Sequence, residues 1–280
     1  MKKVLLPTDF SKNAKNAAVF ALSLFKNDKC EFYLLNTYEI PLSVAKGVIS
    51  YNDILRKRSF KKLQKWKEVL TKKLQNPQHV IETVSNLGNP VNVIRRRVLK
   101  DKFDILIIAS RIENGSEETT KECILSNVIK NVNCPTIIVP EKTNFHIPTH
   151  ILFVFDLDSK ETKAKMESVF SPLIKIAKQY KSFIYILYFS KRNIKNDNEK
   201  SRDCHELGFY FQGITHQFYF AENDYTSDYI ENFIRKHTVD MVAMYSKDFS
   251  GFKHIFQYIN ESSTRIPILF LPDAYSKINY

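Results

Sequence analysis

Two hydrophobic periods take turns along this chain, and their order predicts its elements. Residues 3–7, KVLLP, carry a short apolar run that reads as a buried strand. From Asn13 to Phe25 the residues Ala14, Ala17, Ala18, Ala21, Leu22 and Phe25 recur at helical spacing. CEFYLLNTY (30–38) reads as a second strand. After a long connection, residues 56–74 read as an amphipathic helix, with Phe60, Leu63, Val69, Leu70 and Leu74 on its apolar stripe and Trp66 near the edge. HVIETVSN (79–86) returns to period two, and PVNVIRRRVLKDK is a short helix with Pro90 in its first turn. FDILIIAS is almost continuously apolar, as a central parallel strand is. KECILSNVIKNV and TIIVP close the series as helix and strand. Strand and helix in alternation predict an α/β fold with a parallel sheet.

The second half follows the same plan. ILFVFD, SFIYILYFS, THQFYFAE, VDMVAMYS and IPILFLP read as strands. AKMESVFSPLIKIAKQY, TSDYIENFIRKH and residues 252–259 read as helices, with Thr226 or Ser227 at a cap position of the second. Residues 206–212 fit no element clearly. Three anchors repeat in order: KVLLPTDF with HILFVFDL, KFDILIIASR with TVDMVAMYSK, and VNCPTIIVP with TRIPILFLP. Asp9 and Asp156 lie 147 residues apart, Asp104 and Asp240 lie 136 apart, and Pro135 and Pro267 lie 132 apart. Conserved order with shrinking spacing is the mark of a tandem duplication whose loops have shortened. The polar stretch EKTNFHIPTH (141–150) separates the copies, so domains are expected over 1–143 and 147–275, each a five-stranded parallel sheet flanked by helices.

Composition narrows the function classes. The chain has 280 residues, of which 44% are apolar, enough for real cores. No apolar run reaches 18 residues and Asp9 interrupts the first one, so neither a membrane span nor a signal peptide is expected, and the protein is expected in the cytoplasm. Cys30, Cys123, Cys134 and Cys204 form no Cys-x-x-Cys pair; free buried thiols are expected rather than disulfides or a metal site. The net charge is +12, densest in RKRSFKKLQKWKEVLTKKL (56–74). With no zinc-finger spacing, helix-turn-helix signal or paired aromatic platform, that run reads as a solvated helix face, and no nucleic-acid partner is expected.

Catalytic signatures are absent from the sequence. There is no Gly-x-Ser-x-Gly elbow, His-Glu-x-x-His pair or phosphate-binding Gly-x-x-x-x-Gly-Lys loop. Pro148 stands between His146 and His150, His205 beside Glu206 lacks a third ligand, and Asp158 has no partner for acid–base work. The chain is not expected to be an enzyme. One junction stands out: PTDFS (7–11), where an apolar run meets a helix start. Asp9 and Ser11 are there either to meet a ligand or to accept N–H bonds at the start of the first helix.

KVLLPTDFSKNAKNAAVFAL, DILIIASR and NVIKNVNCPTIIVP, in that order, resemble the universal stress protein family, and Asp156, DMVAMYSK and RIPILFLP repeat the likeness. The resemblance implies two tandem Rossmann-like domains of the adenine nucleotide alpha hydrolase-like kind. Its nucleotide-binding branch carries Gly-x-x-Gly, about nine residues, then Gly followed by Ser or Thr, because glycines let phosphates approach backbone N–H groups. This chain has Ala109, Ser110, Arg111, Ile112 and Glu113 with a lone Gly115, and then Glu122 and Cys123, at those places. The second half has Tyr245, Ser246, Lys247 and Asp248, an isolated Gly251, and then His254 and Ile255. A degenerate ATP motif is therefore expected, because Glu122 would repel a triphosphate and the missing glycines crowd the backbone. In nucleotide-binding relatives the residue matching Asp9 lies beside adenine and ribose. An ancestral pocket would accordingly be lined by Thr8, Asp9, Ser11, Ser110 and Arg111, with Asp156 marking its twin. The expected function is a stress-associated regulatory or scaffold protein with no cofactor and an unidentified protein partner. The alternative is an ATP or AMP sensor using a non-standard pocket near Asp9 and Arg111. The resemblance also implies pairing of the last strands, PTIIVP with IPILFLP, inside one molecule, as a monomer or a homodimer of such molecules.

Overall fold

In the first half of the chain, Lys2–Pro7 (β1), Cys30–Tyr38 (β2), Val80–Leu87 (β3), Ile105–Ala109 (β4) and Thr136–Val139 (β5) are strands. Lys12–Leu24 (α1), Val48–Thr71 (α2), Pro90–Asp101 (α3) and Ile124–Asn131 (α4) are helices. The computed structural model describes residues 1–40, 48–74, 76–110, 124–156, 163–189, 204–221, 227–245 and 265–273. The chain divides into two units, Met1–Phe145 and His146–Tyr280.

The strands of the first unit run in the order β3-β2-β1-β4-β5, every described pairing parallel. β1 therefore has β2 on one side and β4 on the other, and the strand order reverses between β1 and β4. Leu5, Leu6, Phe32, Leu34, Leu106, Ile107, Ile137 and Ile138 are buried along the sheet. The apolar face of α1, Ala14, Ala17, Ala18, Ala21, Leu22 and Phe25, is buried as its spacing predicts, and Phe20 and Leu24 join it.

Polar residues set the ends of the helices. Ser11 caps α1, its Oγ accepting from Ala14 N at 3.1 Å. Asn89 caps α3, its Oδ1 accepting from Val91 N at 3.1 Å, and Pro90 sits where its missing N–H costs nothing. α3 ends at Lys102, whose φ of 51° turns the chain in the left-handed region.

α2 begins eight residues before the predicted start at Arg56, and Leu74 lies beyond its end. Leu63 and Leu70 are buried as expected, but Phe60 is 55% exposed and Ser59 takes the inward position beside it.

In the second unit the strands are His150–Asp156 (β6), Phe183–Phe189 (β7), His216–Ala221 (β8), Met241–Tyr245 (β9) and Ile268–Leu271 (β10). The helices are Lys163–Tyr180 (α5) and Ser227–Lys236 (α6). The order is β10-β9-β6-β7-β8, again with parallel described pairings. The unassigned stretch near 206–212 is a helical turn over 204–208 that runs into a 3-10 turn at Phe209–Phe211, which buries Phe211 completely. Thr226 and the predicted helix over 252–259 lie outside the described residues.

The repeated anchors turn out to do the same job in each unit. Asp104 Oδ2 accepts from Lys3 N at 2.8 Å, and Asp104 N donates to Lys3 O at 3.0 Å. Asp240 Oδ2 accepts from His150 N at 2.9 Å, and Asp240 N donates to His150 O at 2.9 Å. In both, the carboxylate ahead of the fourth strand closes the open end of the first. The prolines match as well: Leu106 N donates to Pro135 O at 2.8 Å and Val242 N to Pro267 O at 3.0 Å. The fold is α/β, with helices flanking the sheet in each unit.

Candidate functional site

In open parallel sheets, ligands collect beyond the carboxyl ends of the strands where the strand order reverses. That place in the first unit lies between β1 and β4. Val4 pairs with Ile105 and Leu5 with Leu106. Continuing this register brings Asp9 level with Ser110, so the topology carries two of the predicted site residues to one edge.

Each described residue there already has a bond within the chain. Thr8 is buried; its Oγ1 accepts from Phe10 N at 3.0 Å, and its N donates to Leu35 O at 2.8 Å. Asp9 is exposed, and its Oδ1 accepts from Ser11 N at 2.8 Å. Ser11 caps α1. Ser110 is fully buried, and its N donates to Val139 O at 2.9 Å. Arg111, Glu122 and Cys123 lie outside the described residues, as do Gly115, Ser246, Lys247, Asp248, Gly251, His254 and Ile255. Asp156 ends β6, in register with Phe189 of β7; its side chain also lies outside the described set.

Between Asp9 and Ser11 the chain bends sharply. Phe10 has φ 67°, a left-handed conformation that is unusual for a residue with a Cβ. Its ring meets the edge of Trp66 at 5.7 Å, and the Lys62 ammonium lies 5.0 Å from its centroid.

Sequence reasoning missed a buried polar chain behind this loop. Asn36, near the end of β2, donates from Nδ2 to Thr8 O at 2.7 Å. Ser59 Oγ on α2 donates to Asn36 Oδ1 at 2.7 Å, and Ser85 Oγ on β3 donates to Ser59 Oγ at 2.7 Å. The relay ties two strands, β2 and β3, and α2 to the loop that carries Asp9. The signal was the polar residue Asn36 after the apolar pair Leu34 and Leu35, but its partner Ser59 is 23 positions away. Asn36→Ala would leave both partners unsatisfied in the interior and is expected to cost about 1–3 kcal/mol, measured by urea denaturation.

The corresponding place in the second unit is built of aromatic rings. Phe155 pairs with Tyr245, and the two rings stack at 5.5 Å with both residues buried. They stand where the repeat places Thr8 and Ala109 in the first half. Phe170 of α5 meets Phe155 at 5.4 Å and Tyr245 at 6.0 Å, both edge to face.

Cys30 and Cys134 are free and buried. Burial pushes both thiols up to about 12, far from thiolate at neutral pH. Cys204 is half-buried. Among the described residues no group of three or more His, Cys, Asp or Glu could hold a metal ion, and no helix is long and apolar enough to cross a membrane.

The sequence profile of the universal stress protein family matches residues 1–140, half of the chain. The chain belongs to the universal stress protein family. Two universal stress proteins of Methanocaldococcus jannaschii are similar in sequence. MJ0531 is 27% identical over 145 residues, covering 49% of this chain and 81% of that protein. MJ0577 is 25% identical over 158 residues, covering 51% of this chain and 97% of that protein. Among solved structures, a universal stress protein from Archaeoglobus fulgidus DSM 4304 matches with a TM-score of 0.69 at 14% identity, covering 96% of each chain. At that identity the match speaks for the fold alone. It agrees with the α/β architecture of helices on a sheet, and the family makes a stress-associated regulatory role plausible.

Proposed function

We infer that this universal stress protein is a regulatory or scaffold protein whose two halves are copies of one nucleotide-binding fold that have lost standard ATP binding. The observation that carries this reading is that the described groups at both reversal points are committed to the chain itself. In the first unit Thr8 and Asp9 accept from backbone N–H groups of the same loop, and Ser11 accepts from Ala14 N in the first turn of α1. In the second, Phe155 and Tyr245 fill the matching place. The sequence adds Ala109 at a glycine position and the carboxylate of Glu122 at another, and no standard phosphate loop can form from those residues. With no glycine cradle for phosphate in the sequence and no paired acid and base among the described residues at the site, the scaffold serves by binding another protein rather than by turning over a substrate.

Calorimetric titration with ATP, AMP and cyclic nucleotides tests this. The expected result is heat of dilution alone at ligand concentrations up to about 1 mM, where binding worth ~4 kcal/mol would register. A saturable isotherm that Asp9→Ala abolishes would overturn it. That outcome would establish the sensor reading, whose support is the exposed carboxylate of Asp9 at the reversal point.

A further inference from the structure

The charge of this chain is lopsided. Residues 1–145 carry 25 Lys and Arg against 14 Asp and Glu, whereas residues 146–280 carry 17 against 16. Within the first unit, residues 56–73 alone hold nine cations and a single acid, Glu68. The fold fixes what this stretch presents. α2 turns Ser59, Leu63 and Leu70 inward. At 100° per residue the opposite stripe is Ile54, Arg58, Lys61, Lys65, Glu68 and, just past the helix end, Lys72. All six are exposed, as are Lys57 and Lys62 on the flanks. Among the described residues none of these cations is in an ion pair. Asp53 and Glu68 stand four residues before Lys57 and Lys72, but between them Lys57, Lys61 and Lys65 follow one another at that spacing and repel.

We propose that the outer face of α2 docks on duplex nucleic acid and holds its phosphates without reading sequence. A helix about 10–12 Å across matches a major groove about 12 Å wide, and cations on both flanks of the ridge can meet both phosphate walls. Seven of the nine cations in 56–73 are lysines, point charges rather than the flat forks that pair with guanine. The outer stripe offers no Asn or Gln to a base edge, and the Gln64 amide is held by Thr83 at 3.0 Å. A lipid bilayer suits this face less well. A helix lying in a membrane interface needs its apolar side for the acyl chains, and α2 has turned that side to the protein, leaving Ile54 and Phe60 exposed on different faces.

The test is fluorescence anisotropy of labelled 24-base-pair duplexes of two unrelated sequences with the whole chain. Equal affinity within about threefold is expected, with a salt dependence that matches about five phosphate contacts, on the order of 500-fold weakening from 50 to 200 mM salt. Lys61→Glu with Lys65→Glu is expected to weaken binding by more than about 30-fold at 50 mM salt. Arg95→Glu with Arg96→Glu, exposed on α3, changes the net charge equally and is expected to stay within about threefold. Circular dichroism verifies folding, and Lys61→Gln with Lys65→Gln serves if the reversals disturb α2. Equal losses from both helices would overturn the proposal, because net charge alone would then explain binding. So would no binding at 50 mM salt, or binding to phosphatidylserine vesicles with none to either duplex.

Discussion

Asp273→Ala is expected to lower the stability of the second unit by about 3–5 kcal/mol. Asp273 follows β10 and meets Lys165, in the first turn of α5, at 2.5 Å, with both side chains only 7% exposed. An exposed pair of this kind would contribute almost nothing. Here the aspartate offsets the charge of an ammonium that sits away from water, and removing it takes that compensation away. Since whole domains are stable by about 5–15 kcal/mol, the variant should be partly unfolded at 37 °C. Urea denaturation followed by far-ultraviolet circular dichroism measures the loss, and a change below about 1 kcal/mol would show that water reaches Lys165 after all. Replacing both partners, Lys165→Met with Asp273→Leu, should recover most of the stability, because an apolar pair of similar volume avoids the desolvation cost.

Phe170→Ala is expected to cost a comparable amount, about 3–5 kcal/mol. Phe170 is fully buried, with Phe153 at 5.2 Å, Tyr210 at 5.5 Å and Phe211 at 5.9 Å in addition to Phe155 and Tyr245. Truncation opens a void beneath the reversal point of the second unit, bounded by rings too rigid to collapse into it. Part of the cost is lost burial and part is the unfilled space, and edge-to-face contacts add to both. Phe170→Leu retains much of the volume and should cost about a third to a half as much. Thermal denaturation of the two variants side by side separates the terms. Equal losses would mean that ring geometry rather than volume holds the cluster.

Periodicity made most of the fold legible. β2 begins and ends where the apolar run CEFYLLNTY does, and the buried face of α1 is the face its spacing marks. The start of α2 was hidden because residues 48–55 include Val, Ile, Ser, Asn and Asp, none a strong helix former. Phe60 misled for another reason. Hydropathy assumes that the more apolar neighbour turns inward, and here Ser59 does so because Asn36 and Ser85 satisfy its hydroxyl. Such a pairing is a property of three segments at once and leaves no trace in any one of them. Asp104 and Asp240 were visible as repeated letters, but only the fold shows them tying the fourth strand to the first. The Lys165–Asp273 pair joins positions far apart in the chain, with no local pattern to announce it. At the candidate site Thr8, Asp9 and Ser11 were legible as one junction, but not their bonds: Thr8 and Asp9 accept from N–H groups of the loop, and Ser11 accepts from Ala14 N in α1.

Trp66, set edge-on against Phe10, is the only tryptophan in the chain. Excited at 295 nm, the protein therefore emits from one indole, one residue removed in space from Asp9. A ligand settling at the first reversal point, or a polyanion drawing Lys62 off the Phe10 ring, would shift that emission. The molecule thus carries a built-in optical gauge beside its first reversal point, and needs no attached dye to read it.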